Sequence, residues 1–515
     1  MEKLSERSKL NRALFWLILA AGLFARLWLF GSVPGDINQD EAFAGYEAYS
    51  LLRYGTDSAG YSFPVYLTAW GSGMNALETY LMIPFIALFG LETWVIRLPQ
   101  LLTGAASLWV VYLTVRRLRD ERCALWAMFL LAICPWHVLL SRWGLESNLA
   151  PGFLLFGLYF FLRGLEDSRF FPLSALMYGL SLYAYATIWP FVPLLLLMQL
   201  AYCARHGRLR GGGICLALSA LILALLALPL LLFLAVNFGL IDEIRLPFLS
   251  VPKLLYMRAG EISFKNIPAN LKNLFKILFT QSDGLSWNCA GVFGLIYPLS
   301  LPFTLLGLVR CVRERISAGR ERRFSMTALL LIQLLAGLLL GALISVNVNR
   351  VNIIFIPLVI LTAVGVRRAG ELAGKRLLPA AAAAYALFFI CFELYYFTDY
   401  REAIQRDFSY GLEAAVDAVS ERGGSVYLSA DILYPDILFY SAQPTDEFLD
   451  TVEYVAYPAA FLRASSFGRW RFGVDAGAPD ASADYILSPG TELGAFERAG
   501  FTLGQYGNYT VALAP

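Results

Sequence analysis

An adjacent pair of carboxylates, Asp40 and Glu41, is the first feature of the sequence that could carry out chemistry. The pair follows, after ten residues, an apolar run that covers residues 13–30. A carboxylate can take a proton from a hydroxyl, and acidic residues can also bind a divalent cation. The residues after Glu41 have helical apolar spacing, however, so capping of a helix by Asp40 is the structural alternative.

Further polar residues lie beside apolar runs later in the chain. Arg142 and Glu146 are four residues apart, which is the spacing of an ion pair along one face of a helix. Arg350 has asparagines on both sides, and an arginine in such a place either reaches lipid headgroups or binds an anion such as phosphate. Trp287 and Asn288 precede another apolar run, where Trp commonly marks the membrane interface.

The elements that must position these residues are predicted to be membrane-spanning helices. Hydrophobic residues make up 58% of the 515 residues and charged residues only 16%, whereas soluble domains have about 25% charged residues. The run 76–90 is short and is expected to lie in the interface. Eleven other apolar runs are expected to span the bilayer: 13–30, 95–115, 123–140, 148–162, 171–186, 188–203, 214–235, 291–309, 326–345, 351–366 and 378–397.

Basic residues predict the orientation of these spans. With the N-terminus in the cytosol, the predicted inner segments hold 23 of the 41 Lys and Arg residues, as the positive-inside rule requires. The first run is long and has no cleavage signal after it, so we expect a retained span. The sequence therefore predicts a multi-pass inner (plasma) membrane protein with a cytoplasmic N-terminus and an extracytoplasmic C-terminal domain.

Three segments on the predicted outer side are large. Within a transmembrane module of residues 1–397 these are the loops 31–93 and 237–290, and the third is the tail 398–515. The tail has seven Arg, no Lys and seventeen Asp and Glu residues. Its strand-like runs favour a small soluble α/β domain, and they cover residues 425–429, 485–488 and 507–513. The predicted fold class is an all-α polytopic membrane protein with this domain at its C-terminus.

An acidic pair just after the first span resembles the GT-C glycosyltransferases, in the branch of the protein O-mannosyltransferases and the aminoarabinose transferases. The resemblance covers about residues 10–370 in order. Beyond Asp40 and Glu41, it rests on residues 70–77, 85–90, 95–99, 135–137, 141–142, 145–149, 282–288 and 349–352. It implies a GT-C fold and a donor in which a sugar is joined to a polyprenyl phosphate. The sugar would pass, with inversion, to a hydroxyl of a protein, a lipid or a glycan at the outer membrane face.

The resemblance also implies roles for individual residues. Asp40 is the candidate general base, and Glu41 would orient it or contact the sugar. The donor phosphate needs positive charge, which Arg350 would supply, together with Arg142. The remaining candidates for substrate binding are Glu78 on the short helix of the first loop, Glu146, Trp287 and Asn288. Glu78 is also where a metal could bind, and a divalent cation is the one cofactor that these acidic residues could hold.

Other functions predict different features. A transporter or flippase needs ionisable or broken-helix sites near the bilayer midplane, whereas the polar residues here gather at the predicted outer rim. A structural scaffold needs no acidic pair with arginines on the same face. An oligosaccharyltransferase or polymer ligase would favour a D-x-D motif and a larger soluble domain. The net charge of +2 implies no nucleic-acid partner, and two histidines exclude a histidine-rich metal centre.

Overall fold

Helices form most of the structure, a computed structural model that describes residues 2–257, 263–473 and 477–515. Among the described residues, six helices are long and apolar enough to cross a membrane, as judged by length and composition. They are Lys9–Leu27, Leu98–Leu118, Ile188–Arg205, Gly213–Asn237, Val348–Ala373 and Leu377–Phe397. The chain is thus a multi-pass membrane protein, and the eleven spans remain a prediction.

The other predicted spans coincide with helices that are shorter, interrupted or more polar. Residues 123–140 form two helices because Pro135 lacks an amide hydrogen and starts the second one at its first turn. In residues 291–309, the helix begins only at Ser300 and continues to Arg320 into a basic segment. The shorter helices are Leu77–Phe89, Glu121–Ala132, Pro135–Leu140, Ala150–Gly164, Phe171–Ser181 and Thr327–Leu343.

Contacts divide the chain into two compact units. The helical unit contains the described residues of Met1–Phe30, Gln100–Leu228 and Ala259–Tyr400. The sheet unit contains those of Gly31–Pro99, Pro229–Arg258 and Arg401–Pro515. The sequence predicts the tail 398–515 as a domain separate from the loops 31–93 and 237–290. The structure instead packs most of the tail with the first loop and with part of the second, while residues 258–262 lie outside the described residues.

A seven-stranded mixed sheet lies in the tail. In chain order, strands β1–β4 belong to two short hairpins of the loops, and β5–β11 form the sheet. The strands are β1 Tyr66–Leu67, β2 Met74–Asn75, β3 Ile244–Leu246, β4 Leu249–Val251, β5 Val426–Leu428, β6 Glu453–Tyr454, β7 Ala464–Phe467, β8 Trp470–Phe472, β9 Asp484–Leu487, β10 Thr502–Tyr506 and β11 Tyr509–Leu513. The strand order is β10-β11-β9-β5-β8-β7-β6, and β5 is parallel to both β8 and β9. The three predicted strand runs are confirmed as β5, β9 and β11.

The core of the sheet unit joins the first loop to the tail. Apolar side chains of helix Gln39–Tyr54, such as Ala42 and Phe43, belong to one buried cluster with Val416 and Ile437 of the tail. The remaining helices of this unit are Thr93–Ile96, Leu412–Ser420, Tyr434–Tyr440, Thr445–Thr451 and Gly494–Arg498. Burial of this shared apolar surface fixes the start of helix Gln39–Tyr54, on which the acidic pair is placed.

Candidate active site

Asp40 lies in the first turn of helix Gln39–Tyr54, and Asn38 is the residue that caps this helix. The Asn38 side chain accepts a hydrogen bond from the Asp40 amide at 3.0 Å. The Glu41 carboxylate in turn accepts one from the Asn38 amide at 3.1 Å, which completes a capping box. Capping by Asp40, the structural alternative considered for this residue, is therefore wrong, and its role as a base remains a prediction.

Glu41 forms a buried ion pair with Arg97. The guanidinium donates from Nε to Oε1 at 2.7 Å and from Nη2 to Oε2 at 2.8 Å, and both side chains have no exposed surface. Arg97 also donates to the backbone carbonyls of Pro34, Gly35 and Asp36. These contacts hold the loop before the helix, and a role of Glu41 in orienting Asp40 remains a prediction. Direct contact of Glu41 with a substrate remains a prediction.

A second aspartate, Asp436, approaches this helix from the tail. Helix Tyr434–Tyr440 packs against helix Gln39–Tyr54 so closely that a side chain on Gly45 would meet the ring of Phe439. Asp436 is 4% exposed, and its Oδ1 atom has no hydrogen-bond partner among the described residues. Burial and, secondarily, the charge of Asp40 raise the pKa of Asp436 to about 8. Asp436 is therefore protonated at neutral pH.

Replacing Asp436 with Asn is expected to flatten the pH dependence of stability. An unfolded aspartate ionises near pH 4, whereas the folded pKa is about 8, so the folded chain binds one more proton between these values. Wild-type stability should therefore fall as pH rises through this window, by up to about 1.4 kcal/mol per pH unit. Melting temperatures of the purified chain at pH 5 and pH 8 should differ less for Asp436→Asn than for the wild type.

Glu413 provides the comparison for this measurement. Burial and then the nearby charge of Asp36 raise the pKa of Glu413 to about 7, so Glu413→Gln should remove part of the slope below pH 7 only. Equal pH slopes in wild type and Asp436→Asn would contradict the protonated state assigned to Asp436.

Glu78 is buried in the first turn of helix Leu77–Phe89. This helix packs on helix Gln39–Tyr54, where the Thr79 hydroxyl donates to the Ala44 carbonyl at 3.3 Å. Among the described residues, no group of three or more His, Cys, Asp or Glu side chains is arranged to hold a metal ion. The described residues therefore offer no preformed donor set for a divalent cation, and contact of Glu78 with substrate remains a prediction.

Arg142, in the helical unit, is fully buried at the end of the first helix. Its guanidinium donates to the carbonyls of Ala25, Arg26, Trp28 and Leu29 at 2.8–3.0 Å. These carbonyls belong to the last helical turn and the residues just after it, where they lack helical partners and attract a cation. The contacts favour a structural role for Arg142, and its predicted contact with phosphate is not tested by them.

Three polar segments that the sequence analysis singled out meet within the helical unit. The Asp283 carboxylate accepts from the Asn288 side chain at 2.8 Å and from the Val348 amide at 2.9 Å. The Asn352 side chain donates to the carbonyl of Ser147 at 2.7 Å. Glu146, Trp287, Asn288 and Arg350 are therefore carried by neighbouring segments, whereas Asp40, Glu41 and Glu78 belong to the sheet unit.

Arg350 is half-buried at the start of the last of these segments. Its amide donates to the Asn347 side chain at 2.9 Å, and its Nη1 atom approaches the Ser345 carbonyl at 3.3 Å. Glu146 begins a short 3₁₀ helix that ends at Leu149, and Trp287 is half-buried beside Asn288. The chain thus holds the Arg350 backbone firmly and leaves part of its side chain exposed.

Comparisons with known proteins identify the fold. A family model described as dolichyl-phosphate-mannose-protein mannosyltransferase matches residues 76–233. ArnT from Cupriavidus metallidurans in the apo state is similar in structure, with a TM-score of 0.58, 14% sequence identity, and coverage of 99% of this chain and 98% of that chain. Its complex with undecaprenyl phosphate gives a TM-score of 0.55 at 14% identity, with the same coverage.

A second similar structure is the Archaeoglobus fulgidus oligosaccharyltransferase in complex with Zn and sulfate, with a TM-score of 0.52 and 14% identity. That match covers 84% of this chain and 61% of the oligosaccharyltransferase chain. None of the curated proteins matches the chain. The similarity to ArnT over nearly the whole of both chains, the family match and the apolar helices confirm the predicted fold. This chain is a multi-pass membrane protein with the fold of the GT-C glycosyltransferase superfamily.

Proposed function

We propose that the chain transfers a monosaccharide from a polyprenyl-phosphate donor to an acceptor hydroxyl. The observation that carries the proposal is the place of Asp40, half-buried in the first turn of a capped helix in the first loop of a GT-C fold. The ArnT structure with undecaprenyl phosphate supports a polyprenyl-phosphate donor. The family match over residues 76–233 supports glycosyl transfer.

The reaction is a displacement at the anomeric carbon. The acceptor oxygen forms a bond to that carbon, the bond from the carbon to the phosphate oxygen breaks, and the polyprenyl phosphate leaves with the electron pair. Asp40 takes the acceptor proton as the new bond forms. Attack opposite the leaving group inverts the configuration at the anomeric carbon. Because burial raises the pKa of Asp436 to about 8, we assign the role of base to Asp40 and not to Asp436.

Positioning residues keep the Asp40 carboxylate in place. Glu41 and Arg97 fix the loop on one side of it, and the Asn38 cap fixes the first turn. The placement of the carboxylate matters because a displacement of a catalytic group by about 1 Å can lower the rate by about 100-fold. In this proposal Glu41 orients Asp40 through the helix start. Glu78, on the neighbouring helix, shapes the same side of the site.

On the donor side, Arg350 steadies the phosphate, together with the polar segments that carry Glu146, Trp287 and Asn288. Arg142 acts by holding the end of the first helix. Arg350→Ala should weaken donor binding by about tenfold or more, since a hydrogen bond to a charged group contributes about 1.5–3 kcal/mol. Binding of a fluorescent polyprenyl phosphate to the purified chain measures this effect.

Lys272 is the control for that measurement, because it is an exposed cation on helix Ile267–Thr280. Lys272→Ala should bind the polyprenyl phosphate as tightly as the wild type. An unaltered affinity of Arg350→Ala would instead assign Arg350 to the lipid headgroups.

The proposal places the reaction on the extracytoplasmic face of the inner membrane, with the N-terminus in the cytosol. It treats residues 1–397 as the catalytic module, with the tail 398–515 covering the acceptor side. The basic segments of the sequence support this orientation. Cysteines introduced singly into the first loop should react with a membrane-impermeant thiol reagent in intact cells. Protection of these cysteines until the cells are broken would argue against the orientation.

Transfer from labelled polyprenyl-phosphate sugars in liposomes that contain the purified chain tests the activity itself. Movement of solute or of the lipid-linked sugar, measured in the same liposomes, distinguishes an enzyme from a transporter or flippase. We expect transfer without solute or lipid-sugar movement. Movement of the lipid-linked sugar across the bilayer without transfer would replace the proposed function.

A further inference from the structure

A cavity of about 440 Å³ in the sheet unit is built from three remote segments of the chain. The first loop contributes Phe43 and Trp70, the second contributes Arg245 and Lys253, and the tail contributes a row of tyrosines. Its volume is in the range of small-molecule sites. The role of Asp40 as general base does not by itself give this cavity a function.

Backbone hydrogen bonds tie the three walls together. The Val65 amide donates to the Ser250 carbonyl at 2.9 Å, which joins the first loop to the β3–β4 hairpin. The Leu462 amide donates to the Trp70 carbonyl at 2.7 Å, which joins the tail to the first loop. Trp70 has a positive φ of 56°, a conformation that is unfavourable for a bulky residue. The surrounding contacts therefore hold the Trp70 ring in a fixed place.

Aromatic faces dominate the tail side of this cavity. Tyr454 stacks on Tyr457 with ring centroids 5.9 Å apart, and the Tyr457 ring is 66% exposed. Tyr434 packs edge-on against Trp70 at 5.5 Å. Flat aromatic surfaces that combine an apolar face with hydroxyl groups suit sugar rings, which present C–H groups on their faces and hydroxyls at their edges.

Two cationic side chains, Arg245 and Lys253, line the cavity on the side formed by the second loop. Arg245 lies 4.0 Å from the centroid of the Tyr61 ring and is paired with Glu243 at 2.9 Å. Lys253 is exposed and has no ion pair with a described residue. Two buried acids lie behind this wall. Glu47 accepts a hydrogen bond from the amide of the wall residue Ser58 at 2.8 Å, and burial raises the pKa of Asp57 to about 7, against the opposing charge of Arg245. Burial and then the charge of Asp57 raise the pKa of Glu47 well above its usual value.

One wall residue of the cavity, Phe43, belongs to the helix that carries Asp40. Asp40, Phe43 and Glu47 are spaced by three and four residues along helix Gln39–Tyr54, so they lie on one face. Phe43 lines the cavity and is about one turn from Asp40, a rise of about 4.5 Å. Asp40 does not itself line the cavity, so a molecule bound there would have to reach past Phe43 to bring a hydroxyl to the Asp40 carboxylate.

We infer that this cavity binds the acceptor and that the acceptor is a saccharide with a negatively charged substituent. The inference rests on the proposed function, because it treats Asp40 as the base. A hydroxyl oxygen of the saccharide forms the bond to the anomeric carbon, Asp40 takes its proton, and the polyprenyl phosphate leaves with the electron pair. The rings lie against Tyr457 and Tyr454, and the charged substituent lies beside Lys253.

Binding of labelled disaccharides to the purified full-length chain, without donor, tests the inference. Four probes are compared: a neutral disaccharide, its phosphate, its uronic acid and a Ser/Thr-rich peptide. The wild type should bind the two charged saccharides about tenfold more tightly than the neutral one, as expected for one charge-assisted contact. A preference for the phosphate over the uronic acid would identify which charge the site selects.

Two exposed residues supply the variants, with matched controls outside the cavity. Lys253→Ala should abolish the preference for charged saccharides. Tyr457→Ala should weaken the binding of all three saccharides by about fivefold to tenfold. Lys272→Ala and Tyr256→Ala should bind like the wild type, since both residues are exposed but do not line the cavity.

The outcomes separate this inference from the proposed function. Saccharide binding with the expected variant effects, but without transfer, would contradict the proposed function alone. Equal binding of neutral and charged saccharides by the wild type, or unchanged binding in both cavity variants, would overturn the inference. So would transfer to the peptide, or transfer to a saccharide with a KM that neither variant changes.

Discussion

The Asp40→Asn variant is expected to turn over about 10²–10⁴-fold more slowly than the wild type, which is the usual contribution of a general base. Asparagine has nearly the same shape as aspartate, and the Asn38 cap acts through the backbone amide of residue 40, so the helix should still form. The acceptor hydroxyl would then have to attack without losing its proton to a side chain. Initial rates at saturating donor measure the effect, because the missing interaction belongs to the transition state.

A measurement of donor binding distinguishes a variant that has lost only the general base from one that has lost its structure. Asp40→Asn should bind fluorescent polyprenyl phosphate with wild-type affinity and should melt near the wild-type temperature. Asp242→Asn is the matched control, since Asp242 is an exposed aspartate of the second loop. If Asp40→Asn turned over at the wild-type rate, Asp40 would have no part in the proton transfer.

The Arg97→Met variant is expected to destabilise the chain by about 3–5 kcal/mol. Methionine fills much of the same space but leaves the Glu41 carboxylate buried without its cation. The carbonyls of Pro34, Gly35 and Asp36 also lose their donor. A buried ion pair that is broken on one side costs far more than an exposed pair, because the remaining charge stays out of water.

Thermal unfolding of the purified chain, followed by circular dichroism, measures this effect. The double variant Glu41→Leu with Arg97→Met removes both charges and should recover much of the loss. Arg169→Met, in an exposed pair with Asp167, should leave the melting temperature unchanged. A single Arg97→Met variant as stable as the wild type would show that the ion pair contributes little to holding the loop.

Apolar patterning was sufficient to predict the class of this fold. The GT-C resemblance came from short motifs in order along the chain, and the match to ArnT confirms the fold that they implied. The positions of most helices and of strands β5, β9 and β11 also followed from local composition. The short strands β6 and β7 were not predicted, because sequences such as Ala-Ser-Ser-Phe at Ala464–Phe467 show no alternation of apolar and polar residues.

Contacts between residues that are distant in the chain cannot be predicted from the apolar pattern. Arg97 lies in the short motif 95–99, and nothing local in the sequence shows that it pairs with Glu41. Asp436 was missed for a similar reason, because it lies in a tail rich in acidic residues and only tertiary packing buries it near Asp40. A buried aspartate between apolar neighbours, in Tyr-Pro-Asp-Ile-Leu from Tyr434 to Leu438, is the one local signal that could have indicated it.

The shared core of the first loop and the tail has a consequence for biogenesis. Ribosomes make residues 31–99 long before the tail residues that cover Phe43 and Ala42 in the buried cluster, because most of the helical unit lies between them in the chain. Until then this apolar surface must be shielded by a chaperone or by the bilayer, since long-range contacts form late. A nonsense mutation before Leu412 would therefore yield a nascent chain that quality-control proteases recognise, rather than a shortened but usable protein.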